Sequence, residues 1–525
     1  MKYDSFPNGI FLFPFHVRRL IGASLICLLF GLSAIAADDV QQTVTEDAPQ
    51  LIKQADKLSK KGEHAAAEKL LRRAVEINPR ISAAKLKLAY LLVKQKRLVE
   101  AYDLSFPVVK EEPKNTYAFA VLGITLRNAG TFKDAKATIY TSLNLNKREA
   151  LAWAGLGLLD FYENRINQSL ESLYESVYHA PNEPDFIFAF AQVAARAERY
   201  KESAEAYRKF LSVSQDADKD RRDRIKGLIS FLSYLGNKQA LYVLDGQDKT
   251  AVVFKLIGNR PVIELKINNK EETLRFVLDT GSGISVISNE TAERLKIKSV
   301  ARGGLARGIG GDGKFEIVYG FLRAVEIGDI TVRNVPVYIR KFHAGSEKID
   351  GYIGLSLISK FLTTIDYGNL MFALERKNSI ENGKTGGDEL SLPLRLTSSG
   401  FLSGEVQLEG VEVPLNFIVD TGASISVISN ELADSQELSQ FTKGEKMKVI
   451  GAAGITEDVP SFTLPRVSFG SHSRERITAV ALNLDLINET SGFQQAGILG
   501  GNFLRNYSLT FDFQKSKVIF VPIKK

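Results

Sequence analysis

The sequence predicts a multidomain protein, an all-α array of helical repeats followed by an all-β region built twice. Three observations predict this. Small residues recur with a period of 34 between residues 48 and 217. From about Thr250 the texture changes to short alternating strands punctuated by Gly and Asn turns. A twelve-residue stretch beginning at Asp279 then returns at Asp420 with only two positions changed.

The chain of 525 residues is too long for one hydrophobic core. Its 25% charged and 44% hydrophobic content is that of an ordinary folded protein. A net charge of +7 is spread without a compact Lys/Arg block, so nucleic acid is not an implied partner. At the N-terminus, Arg18 and Arg19 precede an apolar run from Leu20 to Leu32. Ser33-Ala34-Ile35-Ala36-Ala37 and an acidic pair follow. This order reads as a signal peptide over residues 1–36, cleaved after Ala36, with 37–47 as a linker. The expected location is therefore outside the cytoplasm, in a periplasm or secreted. An uncleaved anchor is the alternative, and no other membrane span is expected. The single cysteine, Cys27, lies inside the apolar run, so the mature chain has no thiol chemistry.

Residues 48–217 carry the repeat. Stepping by 34 from Ala67 meets Ala101, Ala135, Ser169 and Ser203. Stepping from Ala55 meets Ala89, Gly123, Gly157 and Ala191. Pro79 and Pro113 keep the same spacing, and Pro181 stands two periods beyond Pro113. Small residues belong where two helices cross closely, and proline where the second helix ends. The pattern resembles five tetratricopeptide repeats, which implies a solenoid with a concave groove for a protein partner; a plain spacer is the alternative. Residues 218–249 are expected to supply a capping helix and linker, with helical pattern reaching Gly246 and the solenoid folding as a unit of its own from Gln50 to Asp245.

The β region divides into lobe 1, 250–377, a flexible linker, 378–389, and lobe 2, 390–525. Each lobe has an alternating strand ending at an Asp-Thr-Gly: Leu274–Leu278 before Asp279, Leu415–Val419 before Asp420. At the same offset of 141, Ile309-Gly310 matches Ile450-Gly451. Gly351-Tyr352-Ile353-Gly354 then corresponds to Gly497-Ile498-Leu499-Gly500, and Asp366 to Asp512. The two late aspartates lack a Thr-Gly partner and are expected to be solvated strand ends. The terminal segments Val252 to Ile257 and Lys517 to Ile523 are expected to join a sheet between the lobes.

Asp-Thr-Gly, a glycine-bearing hairpin, and two apolar residues before a glycine together resemble the retroviral-type, retropepsin-like aspartic proteases. The resemblance covers both lobes. It implies a two-lobed aspartic endopeptidase in which Asp279 and Asp420 form one dyad within one chain, acting on a protein or peptide. The residue types suit the chemistry. Amide hydrolysis without a metal, a cofactor or a covalent intermediate needs a base to activate water and an acid to protonate the amide. Two adjacent carboxyls sharing one proton supply both. Gly281 and Gly422 let the loops approach. By resemblance, Thr280 and Thr421 hydrogen-bond across the pair, and Gly354 and Gly500 pack behind it. Ile309, Gly310 and Gly311, with Ile450, Gly451 and Ala452, are read as flap hairpins closing over substrate. Ser282 follows one Asp-Thr-Gly and Ala423 the other. A hydroxyl donated to a carboxylate favours its charged form, so Asp279 is expected to hold the charge and Asp420 the proton.

Other readings are weaker. Gly308–Gly313 has the spacing of a dinucleotide loop, but no helix follows it. The five histidines are far apart, without metal-ligand spacing. No Gly-x-Ser-x-Gly occurs. The rival class is a pair of catalytically silent, peptide-binding lobes on an interaction scaffold, a reading weakened by the presence of all six Asp-Thr-Gly residues.

Overall fold

A computed structural model describes residues 47–214, 219–238, 240–343, 348–376 and 390–524. The expected signal peptide with Cys27, nearly all of the linker that follows it, and the inter-lobe linker 378–389 lie outside these residues.

Ten helices form five pairs: α1 (Ala48–Lys60) with α2 (His64–Ile77), α3 (Ser82–Lys94) with α4 (Leu98–Glu111), α5 (Thr116–Asn128) with α6 (Phe132–Leu145), α7 (Ala150–Tyr162) with α8 (Ile166–His179), and α9 (Pro184–Arg196) with α10 (Tyr200–Val213). Each pair begins 34 residues after the one before. The two columns of small residues meet inside the pairs. Ser169 Oγ donates to the Gly157 carbonyl at 2.6 Å, and Ser203 Oγ to that of Ala191 at 2.7 Å. A Cβ on Gly157 would lie 2.6 Å from Leu173 Cγ, so a larger residue would push the helices apart. Among the described residues, no helix is long and apolar enough to cross a membrane.

The chain divides into two compact units between Pro113 and Lys114. The first holds α1–α4. The second holds α5–α10, a longer helix α11 (Lys219–Gly236) and every strand. The division thus falls inside the repeats, not at the end of the helical segment Gln50 to Asp245. Helix α11 ends at Gly236, and Val243–Gly246 is a strand paired with Ile330–Arg340 of lobe 1, not the continued helix expected there.

Each lobe is one sheet. In lobe 1 the strand leading to Asp279 (Leu274–Leu278) runs parallel to Gly351–Ile353. In lobe 2 the strand leading to Asp420 (Leu415–Val419) runs parallel to Gly497–Leu499 in the same register. A third, six-stranded sheet joins the lobes. Its central pairing is Phe361–Asp366 against Tyr507–Asp512, with Thr364 opposite Thr510 and their hydroxyls 3.0 Å apart. Lys249–Val253 and Lys517–Pro522 extend it as expected, while Lys255–Ile257 turns back into the lobe 1 sheet. Phe372, Phe511 and Phe520 bury this sheet in the common core. Asp366 caps its hairpin by accepting from Gly368 N at 2.9 Å. Asp512 accepts from Lys515 N at 3.0 Å and is buried, contrary to the solvated position expected for it.

Helices of the second unit pack onto both lobes. On lobe 2, Phe132 of α6 meets Phe493 edge-on at 4.9 Å, and the Asn128 carbonyl accepts from Gln494 N. On lobe 1, α11 lies against the strand Ser299–Arg307. Phe231 stacks on Tyr319 at 4.2 Å, and Arg224 Nη1 donates to the Leu305 carbonyl at 3.1 Å. Gly227 makes the approach possible: a Cβ there would overlap the Arg302 carbonyl oxygen and lie 2.5 Å from Gly303 Cα. Gly227→Ala gains about 1 kcal/mol of helix propensity but forces backbone against backbone, at about 1–3 kcal/mol. The overlap with rigid atoms wins. The variant is expected to lower Tm and to lose hydrogen-exchange protection over 299–307; unchanged protection there would mean that α11 does not hold the strand.

Candidate active site

The two Asp-Thr-Gly loops meet at the junction of the lobes. Asp279 N donates to the Ile353 carbonyl and Asp420 N to that of Leu499, both at 3.0 Å, so each aspartate is placed by the parallel strand beside it. Thr280 and Thr421 are fully buried and bond reciprocally across the axis. Thr280 Oγ1 donates to the Val419 carbonyl and Thr421 Oγ1 to that of Leu278, each at 2.7 Å. Each hydroxyl in turn accepts the other threonine's N–H at 3.1 Å. Four bonds thus lock the loops together and satisfy both hydroxyls and both N–H groups.

The loops touch through their glycines. A Cβ on Gly281 would lie 2.5 Å from Asp420 Oδ2, and one on Gly422 2.6 Å from Asp279 Oδ1. Behind them, a Cβ on Gly354 would lie 2.7 Å from the Ser282 carbonyl oxygen, and one on Gly500 2.5 Å from that of Ile425. Both positions exclude a side chain because the obstacle is backbone.

The two carboxyls lie deep in the protein yet face a cavity, and burial pushes both upward from the ordinary carboxylate range. Their surroundings differ. Asp420 Oδ1 accepts from Gly422 N at 2.7 Å and Ala423 N at 3.2 Å, and Gly281 N–H also favours its charged form. Asp279 Oδ1 accepts from one backbone donor among the described residues, Gly281 N at 2.9 Å, and the charge on Asp420 raises Asp279 further. The nearby Arg340 guanidinium opposes that rise without cancelling it. Asp420 therefore holds the charge and Asp279 the shared proton, the reverse of the sequence-based expectation. That expectation failed on Ser282, whose Oγ donates to the Ile284 carbonyl at 2.7 Å instead of to Asp279. The Ala423 backbone, not a hydroxyl, makes the difference.

Two hairpin tips close over the dyad. The lobe 1 hairpin turns at Gly308–Gly313 between Ser299–Arg307 and Lys314–Ile327, the lobe 2 hairpin at Gly451–Gly454 between Thr442–Ile450 and Ile455–Phe469. The tips bond to each other: Ala453 N donates to the Ile309 carbonyl at 2.9 Å, and Gly311 N to that of Ile455 at 3.3 Å. Gly310 and Gly311 adopt positive φ, and a Cβ on Gly311 would lie 2.8 Å from the Ala453 carbonyl oxygen. Ile450, Gly451 and Ala452 all face the cavity, and Ala452 receives a partner that sequence reasoning missed. Arg340 Nη1 donates to its carbonyl at 3.0 Å, with the guanidinium against Phe315, Phe342 and Tyr352. Nothing in a lone arginine at a strand end signals this role, because its partners lie 25 residues before and up to 112 after it.

The cavity beneath the tips measures about 1990 Å³ and continues from the dyad to α9–α11. The arrangement can hold an extended chain, exclude bulk water and present one acid and one base to a single bond.

Raised carboxyl pKa values have a consequence for stability. The native state then binds protons more tightly than the unfolded chain, so this contribution is full below the unfolded value and is lost as pH rises through the raised one. Asp279→Asn removes a group that resists ionising. Its Tm is expected to exceed that of the parent at pH 7 and to match it near pH 3. Equal Tm values at pH 7 would show that Asp279 is not held protonated.

Two segments of the chain, 263–357 and 404–503, match the family model described as aspartyl protease. No curated protein matches the chain. Among solved structures, a thermophilic tetratricopeptide-repeat protein of Thermus thermophilus is 21% identical and covers 36% of this chain and 98% of its own, with a TM-score of 0.30. The pilF protein of Pseudomonas aeruginosa is 16% identical and covers 36% of this chain and 84% of its own, with a TM-score of 0.27. MamA is also 16% identical, covering 32% and 91%, with a TM-score of 0.23. The all-β, C-terminal part of the chain is thus a pair of aspartyl protease domains, and repeated helix pairs precede it.

Proposed function

We propose that the chain is an exported aspartic endopeptidase whose single dyad, Asp279 and Asp420, hydrolyses peptide bonds, with the helical repeats recruiting protein substrate. The observation that carries this reading is the reciprocal Thr280–Thr421 bonding. It holds two carboxyls of unequal surroundings side by side, facing one cavity. A water between them loses a proton to the charged Asp420 as it attacks the carbonyl carbon. Asp279, carrying the shared proton, donates it toward the carbonyl oxygen. Proton return to the amide nitrogen then releases the two product chains and restores one proton to the dyad. Helices α9–α11 supply walls of the same cavity, which supports recruitment of substrate by the repeats. Export rests on the N-terminal sequence.

Activity requires one proton on the pair, so the pH profile is expected to be bell-shaped. The upward displacement of both carboxyls carries its active window above that of ordinary carboxylates. With unfolded casein as substrate at acidic pH, Asp279→Asn and Asp420→Asn should each lower the rate by about 10²–10⁴-fold while leaving the circular-dichroism spectrum unchanged. Mixing the two variants should restore nothing, since both lobes of one dyad belong to one chain. Full activity in either variant would defeat the dyad mechanism, and recovery on mixing would show lobes pairing between chains.

A further inference from the structure

The cavity wall is lopsided in charge. Ten Lys and Arg side chains line it against five carboxyls, two of which are the dyad itself. Two of the remaining three are already neutralised, Glu198 by Lys360 and Glu489 by Arg307. The surplus is positive, inside a concave space whose low-dielectric walls strengthen its field.

Among the six arginines of this wall, one has neither a hydrogen bond nor an ion pair to the described residues. Arg196 ends α9, is half-buried, and faces the cavity beside Tyr200 and Tyr242. Glu198 attracts its guanidinium without touching it, being held by Lys360, and the Tyr200 hydroxyl has no described partner either. Burial pushes Arg196 down from its ordinary pKa, which is the cost of a desolvated charge without a paired counter-ion. Arginine remains protonated all the same, and the carbonyl end of α9 supports that charge. Burial holds both tyrosines above their ordinary range, so they are neutral hydroxyls. Tyr200 can thus donate to an anion, and the Lys360 ammonium lies over the Tyr242 ring at 4.6 Å. A carboxylate fits this chemistry: a planar guanidinium takes it in two parallel bonds, and a hydroxyl donor completes its shell.

We propose that the helical repeats contribute an anion subsite, centred on Arg196 and Tyr200, to the substrate cavity, and that the favoured substrates are peptides with acidic side chains flanking the bond presented to the dyad. This rests on the peptidase reading for the meaning of the cavity, but its test does not require cleavage. The probe is a pair of labelled decapeptides with the same apolar core, flanked by Glu in one and by Gln in the other. Binding to the full-length Asp279→Asn protein is followed by fluorescence anisotropy. The Glu peptide should bind about tenfold more tightly at low salt, the effect of a charge-assisted bond in a recessed site. Part of this margin should fall away at about 0.5 M salt. Arg196→Gln in the same background should reduce the Glu/Gln ratio to near one, and Arg196→Lys should restore part of it. Equal affinity for the two peptides, or no binding of the Glu peptide, would overturn the proposal. So would a ratio that survives Arg196→Gln in a protein of normal Tm. Failure of the unsubstituted protein to cleave casein, with the acidic preference intact, would instead count against the peptidase reading alone.

Discussion

Gly281 and Gly422 each face the aspartate of the opposite lobe at a distance that leaves no room for a side chain. This closeness is the constraint under which the rest of the structure is arranged. Two carboxyls pressed together repel unless they share a proton, so the contact is costly and must be enforced from outside. Buried threonine bonds enforce it directly beneath the loops, and the six-stranded sheet enforces it at the base. There Thr364 and Thr510 face each other, on strands that follow the glycines packed behind the dyad. The arrangement repeats the same device at two levels, a pair of identical residues meeting on one axis.

Departures from that axis decide the chemistry. Both loops begin Asp-Thr-Gly, yet two backbone N–H groups bond to the carboxyl of Asp420 and one to that of Asp279. An undivided proton thereby acquires a resting place. The flaps are unequal in the same way. The strand Ser299–Arg307 lies under α11, whereas the lobe 2 strand Thr442–Ile450 is exposed along nearly its whole length. Arg340, rooted in lobe 1, reaches across to the lobe 2 tip and is the side chain whose hydrogen bond ties that tip to the opposite wall.

Much of this was legible in the sequence. The period of 34 translates into helix pairs because a small residue at a helix crossing is a steric requirement that each repeat must meet separately. The duplication at offset 141 exposed both lobes for a similar reason: each half faces the same packing problem. What stayed hidden depends on single residues meeting across long stretches of chain. Ser282 bonds through its hydroxyl to the Ile284 carbonyl, a partner that the loop geometry selects and residue type does not announce. Arg196 and Arg340 sit at ordinary element ends and acquire meaning from neighbours that no spacing reveals. The α11 contact did leave a trace, since Gly227 breaks a helix pattern and Gly303-Gly304 a strand pattern. Two such rule-breaking sites mark a close approach of backbone, but the sequence does not say that they approach each other.

The docking of α11 on one flap also bears on direction. A peptide has distinct ends, and a cleft with true twofold symmetry would accept it equally well either way round. Here one jaw is braced along its strand by a helix and the other is held at its tip, by Arg340 and by backbone bonds to the first, so the two orientations meet different walls and differ in energy. Helix α11 thus breaks the degeneracy that duplication alone would leave, and under the peptidase reading the cleft acquires a reading sense along a bound chain.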